Sequence, residues 1–213
     1  MISENKKVII FDLDGTLWDS AAELLDAWNE IFRRNEDARV QLTLEELQAQ
    51  LGKPMDKIAT SVMPHLSYER AVEIIDQCGG YENEYLRKYG ATIFEGLEDT
   101  LKVLAETYDL YVVSNCQSGY IEAFLEYYDF WKYFKGLECY GNTLKDKADN
   151  IRILMERHQI EAAVYVGDTQ GDYDACLQAG IPFIWAAYGF GQVDADVPVL
   201  ADIRKLPELM DTI

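Results

Sequence analysis

Four short runs of mainly apolar residues constrain the fold of this chain more than any other feature of its sequence. The runs lie at residues 7–11, 110–113, 162–166 and 182–186. Apolar side chains at successive rather than alternating positions are typical of strands that are buried on both faces, as in a parallel sheet. Helical patterns of ordinary length accompany these runs, at about 97–107, 117–128, 146–158 and 170–179. The alternation of strands and helices therefore predicts an α/β fold with a doubly wound parallel sheet.

Residues 18–89 interrupt this alternation, because they contain helical patterns and no convincing strand. Two capping-box sequences, at Ser20–Glu23 and Thr43–Glu46, predict the starts of two helices. A crossover between parallel strands needs only about a dozen residues, so this block is far longer than the sheet requires. We therefore predict an inserted α-helical subdomain at 18–89, with the α/β core formed by residues 1–17 and 90–213.

The charge of the chain excludes several classes of partner. Its 213 residues include 19 Lys and Arg against 38 Asp and Glu, which gives a formal net charge of −19. Such a negative field repels DNA, RNA and anionic lipid, so we expect neither a nucleic-acid role nor a membrane-surface role. A small anionic substrate is compatible with this charge only where a bound cation offsets the field locally.

The sequence also has the features of a soluble cytoplasmic protein. Its apolar runs are far shorter than the about 18 residues that a membrane-spanning helix needs. The N-terminal segment 1–7 lacks the apolar region of a signal peptide. The cysteines are widely spaced and form no CxxC pair, so we expect free buried thiols rather than disulfides or a zinc site. They are Cys78, Cys116, Cys139 and Cys176.

The first strand runs into the sequence Asp12-Leu13-Asp14-Gly15-Thr16. Residues i and i+2 of an extended backbone project to the same side, so Asp12 and Asp14 should emerge together at the carboxyl end of the strand. Open α/β sheets bind their ligands at this edge. Two carboxylates about 4 Å apart repel each other by about 4 kcal/mol at an effective dielectric of 20, and a divalent cation would remove that penalty. A turn with an Asx cap is the alternative interpretation of these residues.

A second acidic pair follows the strand predicted at 162–166. Asp168 lies at the strand end, and Asp172 follows four residues later, on the same side if a helix begins there. Acidic residues in a first helical turn also suit the helix dipole, so a well-capped helix would equally explain Asp172. The sheet would bring these carboxylates to the same edge as the first pair. Oxygen ligands without His or Cys favour Mg²⁺ over zinc or copper.

The strand at 110–113 ends in two small polar residues, Ser114 and Asn115. A hydroxyl and backbone N–H groups at a strand-to-helix turn can form a cradle for phosphate. The same two residues could instead be an ordinary helix cap.

Two lysines, Lys145 and Lys147, precede the helical pattern at 146–158. Lys147 lies four residues before Ile151 and seven before Leu154, and so shares their inward-facing stripe if the first turn includes it. Lys145 lies off that stripe. We therefore assign the functional role to Lys147, although a lysine at such a position is often only a solvated surface residue.

Four motifs, in their order along the chain and in their strand positions, resemble those of the haloacid dehalogenase superfamily. They are Asp12-x-Asp14-Gly-Thr, Ser114, Lys147 and Gly-Asp168-x-x-x-Asp172. The resemblance covers essentially the whole chain, because the block 18–89 resembles the small helical cap of that superfamily. The residues that follow Asp14 and the segment Ala187-Tyr188-Gly189-Phe190-Gly191 are most similar to the phosphoglycolate phosphatase-like branch.

The resemblance implies a role for each acidic residue. Asp12 would be the nucleophile that forms an aspartyl-phosphate, and Asp14 would be the general acid and then the general base. The second aspartate implies phosphoryl transfer, because a halide leaving group needs no proton. Mg²⁺ would be held by a side-chain oxygen of Asp12, the backbone carbonyl of Asp14 and the carboxylate of Asp168, with Asp172 supporting these ligands.

The function that the resemblance implies is that of a Mg²⁺-dependent phosphatase acting on a small phosphorylated metabolite, similar to phosphoglycolate. Ser114, Asn115 and Lys147 would hold the phosphoryl oxygens. Lys53, in a turn within the helical block, is a candidate for contacting the remainder of the substrate. An ordinary solvated loop lysine would look the same in the sequence.

Two other functions compete with this prediction. A sugar-phosphate mutase of the beta-phosphoglucomutase type shares every core residue. It differs in its cap, which must exclude water from the aspartyl-phosphate intermediate. A non-enzymatic phospho-acceptor, such as a receiver domain, or a catalytically inactive binding module would belong to another class. Receiver domains need only about 120 residues and no cap, and their phosphorylated aspartate is not followed by x-Asp-Gly-Thr.

Overall fold

The computed structural model describes residues 7–212 and contains eight strands and ten α-helices within that range. The strands are β1 (Lys7–Phe11), β2 (Trp18–Asp19), β3 (Thr92–Ile93), β4 (Tyr108–Ser114), β5 (Phe134–Cys139), β6 (Ala163–Gly167), β7 (Phe183–Ala186) and β8 (Val199–Leu200). The helices are α1 (Ala21–Arg34), α2 (Leu44–Gln48), α3 (Met55–Val62), α4 (Tyr68–Tyr89), α5 (Leu97–Thr107), α6 (Tyr120–Tyr127), α7 (Tyr140–Thr143), α8 (Lys147–Arg157), α9 (Gln170–Ala179) and α10 (Leu206–Met210). Short 3₁₀ turns lie at Phe130–Lys132 and Ile203–Lys205.

Six of the strands form one parallel sheet in the order β5-β4-β1-β6-β7-β8. From β1 the chain winds to one side through β4 and β5, and it then continues on the other side of β1 through β6, β7 and β8. Ile9 and Phe11 belong to the apolar core on one face of the sheet, and Val8 and Ile10 belong to the core on the other. The predicted α/β fold with a doubly wound parallel sheet is therefore confirmed. The carboxyl ends of β1, β4 and β6 meet at one edge.

Four helices, α1 to α4, lie between β2 and β3, which pair antiparallel with Trp18 opposite Ile93. Helix α4 packs against α1 and α3 and also against α6 of the core. The Trp18 ring makes edge contacts with Tyr120 and Phe124 of α6, at centroid distances of 5.4 and 5.0 Å. The helical block is thus held against the core above the carboxyl edge of the sheet.

The two predicted capping boxes have different outcomes. Thr43 caps α2 as predicted, because its side chain accepts from the backbone of Glu46 and the Glu46 side chain accepts from the backbone of Thr43. The prediction at Ser20 is wrong, although a helix does begin there: the Ser20 side chain makes no capping bond. Its hydroxyl donates instead to Asp14 Oδ1, at 2.7 Å. The stronger partner for this hydroxyl is a buried carboxylate that lies six residues earlier in the chain.

Two further expectations, on the cysteines and on membrane-spanning helices, can be compared with the described part of the chain. All four cysteines are free and buried, as predicted. Across residues 7–212, no helix combines the length and the apolar character that crossing a membrane requires. Residues 1–6, which include most of the N-terminal segment expected not to be a signal peptide, lie outside the described residues.

Candidate active site

Three aspartates meet at the carboxyl edge of the sheet. Asp12 follows β1 and Asp168 follows β6, and these strands are neighbours with Phe11 paired to Val166. Asp172 joins them from the first turn of α9. One carboxylate oxygen of each aspartate lies within 4.8 Å of the other two, and all three side chains are buried. The topology of the sheet therefore creates the carboxylate cluster that the sequence predicts.

Lys147 is the basic residue at this cluster. It is the first residue of α8, it is buried, and its Nζ donates to Asp12 Oδ1 at 2.8 Å and to Asp172 Oδ1 at 2.5 Å. Burial opposes the charge of this ammonium, but the Asp12 and Asp172 carboxylates outweigh burial and raise the pKa of Lys147. Lys147 is therefore charged, and it neutralises one of the three carboxylates.

Two carboxylate oxygens of the cluster have no hydrogen-bond partner among the described residues: Asp12 Oδ2 and Asp168 Oδ1. The other oxygen of Asp168 accepts from the backbone N–H groups of Phe190 and Gly191, at 2.7 and 3.2 Å. Burial and the negative charge of Asp172 raise the pKa of both Asp12 and Asp168. Buried oxygens without donors are costly unless a cation meets them.

The donor set fits Mg²⁺. The cluster offers carboxylate oxygens only, and hard oxygen ligands are those that Mg²⁺ prefers. Asp172 Oδ2 is already held by the backbone N–H and hydroxyl of Thr169, at 3.0 and 2.7 Å. Asp172 thus caps α9, as the alternative interpretation expected, and also bonds to Lys147. The unpaired oxygens of Asp12 and Asp168 are therefore the atoms that remain free to coordinate a metal ion.

Asp14 faces a different set of partners from Asp12. The backbone bends directly after β1, and Gly15 adopts a positive φ of 79°, where a Cβ would collide with the Asp168 carboxylate. The Oδ1 atom of Asp14 accepts from Trp18 Nε1, Ser20 Oγ and Tyr120 Oη, at 2.9, 2.7 and 2.8 Å. Burial raises the pKa of Asp14, and these three hydrogen bonds oppose that rise.

Ser114 and Asn115 lie beside Asp14 at the end of β4. Both line a cavity of about 30 Å³ together with Asp14, and the Ser114 side chain is buried. Asn115 Nδ2 donates to the carbonyl of Gly52 in the helical block, at 2.8 Å, and leaves Oδ1 buried and without a partner among the described residues. The alternative of an ordinary helix cap does not apply, because the N-cap of the next helix, α6, is Gly119.

The other two lysines that the sequence singled out are exposed. Lys53 also borders the cavity, but its ammonium bonds to Gln50 Oε1, at 3.2 Å. Lys145 is also exposed, and its backbone N–H donates to the Thr143 hydroxyl. Of the candidate cations, the structure therefore brings only Lys147 to the carboxylates.

Four residues at the site escaped sequence reasoning. Trp18, Ser20 and Tyr120 hold the Asp14 carboxylate, and Glu82 of α4 enters the adjoining cavity from the helical block. Tyr120 is 106 positions away from Asp14. Trp18 and Ser20 follow Asp14 by four and six positions. Tyr120 and Glu82 reach the site only because α6 and α4 pack against each other there, which no local pattern indicates.

Comparison with known proteins identifies the family. Residues 9–186 match the family model described as haloacid dehalogenase-like hydrolase. This match spans most of the chain and includes all four motifs, so the chain belongs to the haloacid dehalogenase-like hydrolase family. The resemblance that the motifs suggested is confirmed.

Individual relatives are similar along nearly their whole length. The phosphoglycolate phosphatase of Nitrosospira multiformis is 27% identical, and the alignment covers 94% of this chain and 95% of that protein. The phosphoglycolate phosphatase of Vibrio vulnificus is 28% identical, with 100% of this chain and 98% of that protein covered.

Solved structures share the fold. A predicted phosphatase from Clostridium acetobutylicum superposes with a TM-score of 0.85 at 23% identity, covering 99% of this chain and 100% of that chain. A haloacid dehalogenase-like family hydrolase from Streptococcus pneumoniae gives a TM-score of 0.81 at 23% identity, covering 96% and 98%. Both likenesses extend through the helical block as well as the sheet.

The carboxylate cluster leads to a prediction about cation binding. A cation present at 100 times its dissociation constant stabilises the folded state by about 2.7 kcal/mol. For a chain of this size, that corresponds to a rise of roughly 5–10 °C in the melting temperature. We expect Mg²⁺ to produce such a rise in the wild-type protein and no rise in Asp168→Asn, as measured by differential scanning fluorimetry.

Asp174→Asn is the matched control, because Asp174 is an exposed aspartate of α9 whose side chain accepts from Gln170 outside the cluster. This variant should keep the full Mg²⁺-dependent rise. An equal rise in Asp168→Asn would show that the cation binds elsewhere.

Proposed function

We propose that the protein is a Mg²⁺-dependent phosphatase that hydrolyses a small phosphorylated metabolite, comparable in size to phosphoglycolate, through an aspartyl-phosphate on Asp12. The observation that carries this proposal is the state of the Asp12 carboxylate. Lys147 fixes one of its oxygens, and the other is buried without a partner among the described residues, at the edge where open α/β sheets bind ligands. Membership of a hydrolase family and the names of the relatives support the same reaction class.

In the first half-reaction, a carboxylate oxygen of Asp12 attacks the phosphorus of the ester. The bond between phosphorus and the ester oxygen breaks as the new bond to Asp12 forms. Asp14 donates its proton to the departing ester oxygen, which leaves as a neutral alcohol. Burial raises the pKa of Asp14, and this direction favours the protonated form that a proton donor needs.

In the second half-reaction, Asp14 is deprotonated and acts as a general base. It takes a proton from a water molecule, and the water oxygen attacks the phosphorus of the aspartyl-phosphate. The bond from phosphorus to the Asp12 oxygen breaks, so phosphate is released and the Asp12 carboxylate is restored. Asp14 ends the cycle protonated, as it began.

We assign the Mg²⁺ ligands to a side-chain oxygen of Asp12, the carboxylate of Asp168 and the backbone carbonyl of Asp14. Asp172 supports these ligands by holding Lys147 in place and by capping α9. When bound, Mg²⁺ supplies charge neutralisation for the phosphoryl oxygens and for the carboxylates around them.

Ser114, Asn115 and Lys147 are the residues that we assign to the phosphoryl oxygens. Ser114 is the last residue of β4 and Asn115 follows it, and both line the same cavity as Asp14. The Lys147 ammonium lies at 2.8 Å from Asp12, so it can neutralise charge on a group attached to that carboxylate. Phosphoryl transfer depends mainly on such positioning and neutralisation.

We further propose that residues 18–89 act as a cap over a core formed by residues 1–17 and 90–213. Two hydrogen bonds support this division, because each joins the helical block to a loop at the carboxyl edge. Asn115 Nδ2 donates to the Gly52 carbonyl, and Asn83 Nδ2 donates to the Ser118 carbonyl at 2.9 Å. Lys53, which borders the cavity at the same place, stays a candidate for contacting substrate that projects toward solvent.

The proposed function predicts phosphate release that depends on both the cation and Asp12. Purified protein should hydrolyse an aryl phosphate with Mg²⁺, and EDTA should abolish the activity. Asp12→Asn should fold normally and show no turnover, because an amide is not a nucleophile. Asp149→Asn, which alters an exposed aspartate of α8, is the control and should retain activity.

Turnover that survives EDTA, or substantial activity in Asp12→Asn, would contradict the mechanism. The same assay with a hexose 1-phosphate distinguishes the competing mutase. A phosphatase yields free phosphate and hexose, whereas a mutase excludes water from the intermediate and accumulates hexose 6-phosphate.

A second prediction concerns the two neighbouring lysines. Removing an electrostatic donor from a site of this kind lowers turnover by about 10² to 10³. We expect that loss in Lys147→Ala, because its ammonium contacts both Asp12 and Asp172. Lys145→Ala is the matched control, since Lys145 is exposed two residues away, and its turnover should change little. Steady-state kinetics on aryl phosphate checks both, and the reverse ranking would move the role to Lys145.

A further inference from the structure

The two oxygens of the Asp14 carboxylate have different surroundings. Three donors lie within hydrogen-bond distance of Oδ1: the indole N–H of Trp18 and the hydroxyls of Ser20 and Tyr120. Their distances from Oδ1 are 2.9, 2.7 and 2.8 Å. Oδ2 accepts no hydrogen bond from any residue that the structure describes. One oxygen of this carboxylate is therefore held by the protein, and the other is free.

The three donors together fill the hydrogen-bonding capacity of Oδ1. A carboxylate oxygen has two lone pairs. The hydroxyls of Ser20 and Tyr120 also lie 2.9 Å from each other, and each has only one proton. Either both hydroxyls donate to Asp14, or one donates to the other, which then donates to Asp14. In each arrangement at least one hydroxyl and the Trp18 N–H remain on Oδ1, so both of its lone pairs are occupied.

Packing holds the three donors in place. Trp18 belongs to β2, and Tyr120 is the first residue of α6, which packs against α4. Ser20 precedes α1 and makes no capping bond, so its hydroxyl is available to Asp14. All three side chains are buried. The direction of the Asp14 carboxylate is thus set by the folded protein before any substrate binds, which is the arrangement that favours rapid proton transfer.

This arrangement decides which oxygen of Asp14 can exchange a proton. When Asp14 is protonated, the proton lies on Oδ2, because Oδ1 has no lone pair left for it. In the first half-reaction that proton passes from Oδ2 to the ester oxygen as the bond between this oxygen and phosphorus breaks. In the second, Oδ2 takes a proton from the attacking water. Asp14 lines the same cavity as Ser114 and Asn115, the residues assigned to the phosphoryl oxygens.

We propose that Ser20 and Tyr120, together with Trp18, are positioning residues for the proposed acid and base: they occupy Oδ1 of Asp14 and reserve Oδ2 for proton transfer. They act through the Asp14 carboxylate and belong to none of the four motifs. This inference rests on the proposed phosphatase function, and it names the side chains that make Asp14 an effective proton donor.

Two esters that differ by one nitro group measure the proton donation. They are phenyl phosphate and 4-nitrophenyl phosphate. The nitro group stabilises the departing phenolate, so the 4-nitrophenyl ester needs little help from a general acid, whereas the phenyl ester needs a proton. Because kcat/KM reports the steps up to departure of the phenol, the ratio of kcat/KM for phenyl phosphate to that for 4-nitrophenyl phosphate follows the first half-reaction.

The double variant Ser20→Ala/Tyr120→Phe removes both hydroxyls and keeps the aromatic ring at position 120. Only the Trp18 N–H then remains on Oδ1, so the carboxyl group can turn and its proton is no longer aimed at the ester oxygen. We expect the kcat/KM ratio to fall by about tenfold, a part of the about 10² to 10⁴ that a general acid contributes. Each single variant keeps two donors on Oδ1 and should lose clearly less.

Tyr128→Phe is the matched control. Tyr128 follows α6, and its hydroxyl donates to the carbonyl of Ala91 rather than to Asp14. The kcat/KM ratio of this variant should equal that of the wild-type protein. A folded double variant whose ratio matches that of the wild-type protein, or of either single variant, would overturn the inference.

Asp14→Asn separates the inference from the proposed function. Its kcat/KM ratio should fall at least as far as that of the double variant, because an amide cannot donate the proton of a carboxylic acid. A fall in Asp14→Asn without one in the double variant would overturn the positioning role alone. An unchanged ratio in Asp14→Asn, or a wild-type protein that hydrolyses neither ester, would overturn the proposed mechanism and the inference with it.

A crystal structure of the wild-type protein with Mg²⁺ and vanadate decides the question if the double variant does not fold. Vanadate on Asp12 mimics phosphorus with its attacking and leaving oxygens in line. The vanadate oxygen opposite Asp12 should lie within hydrogen-bond distance of the Asp14 oxygen that has no protein donor, with the three donors still on the other oxygen. Contact through the oxygen that Trp18, Ser20 and Tyr120 hold would overturn the inference.

Discussion

The arrangement on which the rest of the site depends is a cluster of three buried carboxylates and one buried ammonium, which bonds to two of them. Lys147 holds Asp12 and Asp172, while Asp168 has two backbone N–H groups on one oxygen and nothing on the other among the described residues. Burying a charge without a partner costs several kcal/mol. The backbone at the carboxyl ends of β1 and β6 fixes the positions of Asp12 and Asp168. The cost falls when these carboxylates take up protons, as their raised pKa values indicate, or when a cation binds them.

Asp14 and Glu82, the two buried acids that line the adjoining cavity, have different surroundings from the cluster. Asp14 is held by three neutral donors, and Glu82 by two, and neither bonds to a lysine. Burial therefore raises the pKa of both. The cluster around Lys147 suits the proposed phosphoryl group and its cation, whereas Asp14 and Glu82 line the adjoining cavity between the sheet edge and the helical block. The helical block closes this second region, since Glu82 and Trp28 belong to it.

The sequence predicted the parts of the structure that follow from local pattern. Continuous apolar runs indicated β1, β4, β6 and β7, because buried parallel strands need apolar side chains on both faces. The stripe through Ile151 and Leu154 placed Lys147 on the buried face of α8, where the structure has it. Strand β5 escaped prediction, because it lies at the edge of the sheet and half of its residues reach solvent.

Other features depended on distant contacts that no pattern encodes. Ser20 carries a capping-box sequence, yet its hydroxyl binds Asp14 and also lies 2.9 Å from the hydroxyl of Tyr120, which is 100 positions away. Glu82 gives no signal in the sequence of α4, since its partners are 54 and 35 positions away. The central claim is that Asp12 receives the phosphoryl group beside a cation shared with Asp168. A crystal structure with Mg²⁺ and beryllium fluoride, a phosphoryl mimic, tests it most directly. The account predicts Mg²⁺ at about 2.1 Å from oxygens of Asp12, Asp168 and the Asp14 carbonyl, with the beryllium bonded to Asp12. Beryllium on any other carboxylate, or Mg²⁺ away from Asp168, would contradict it.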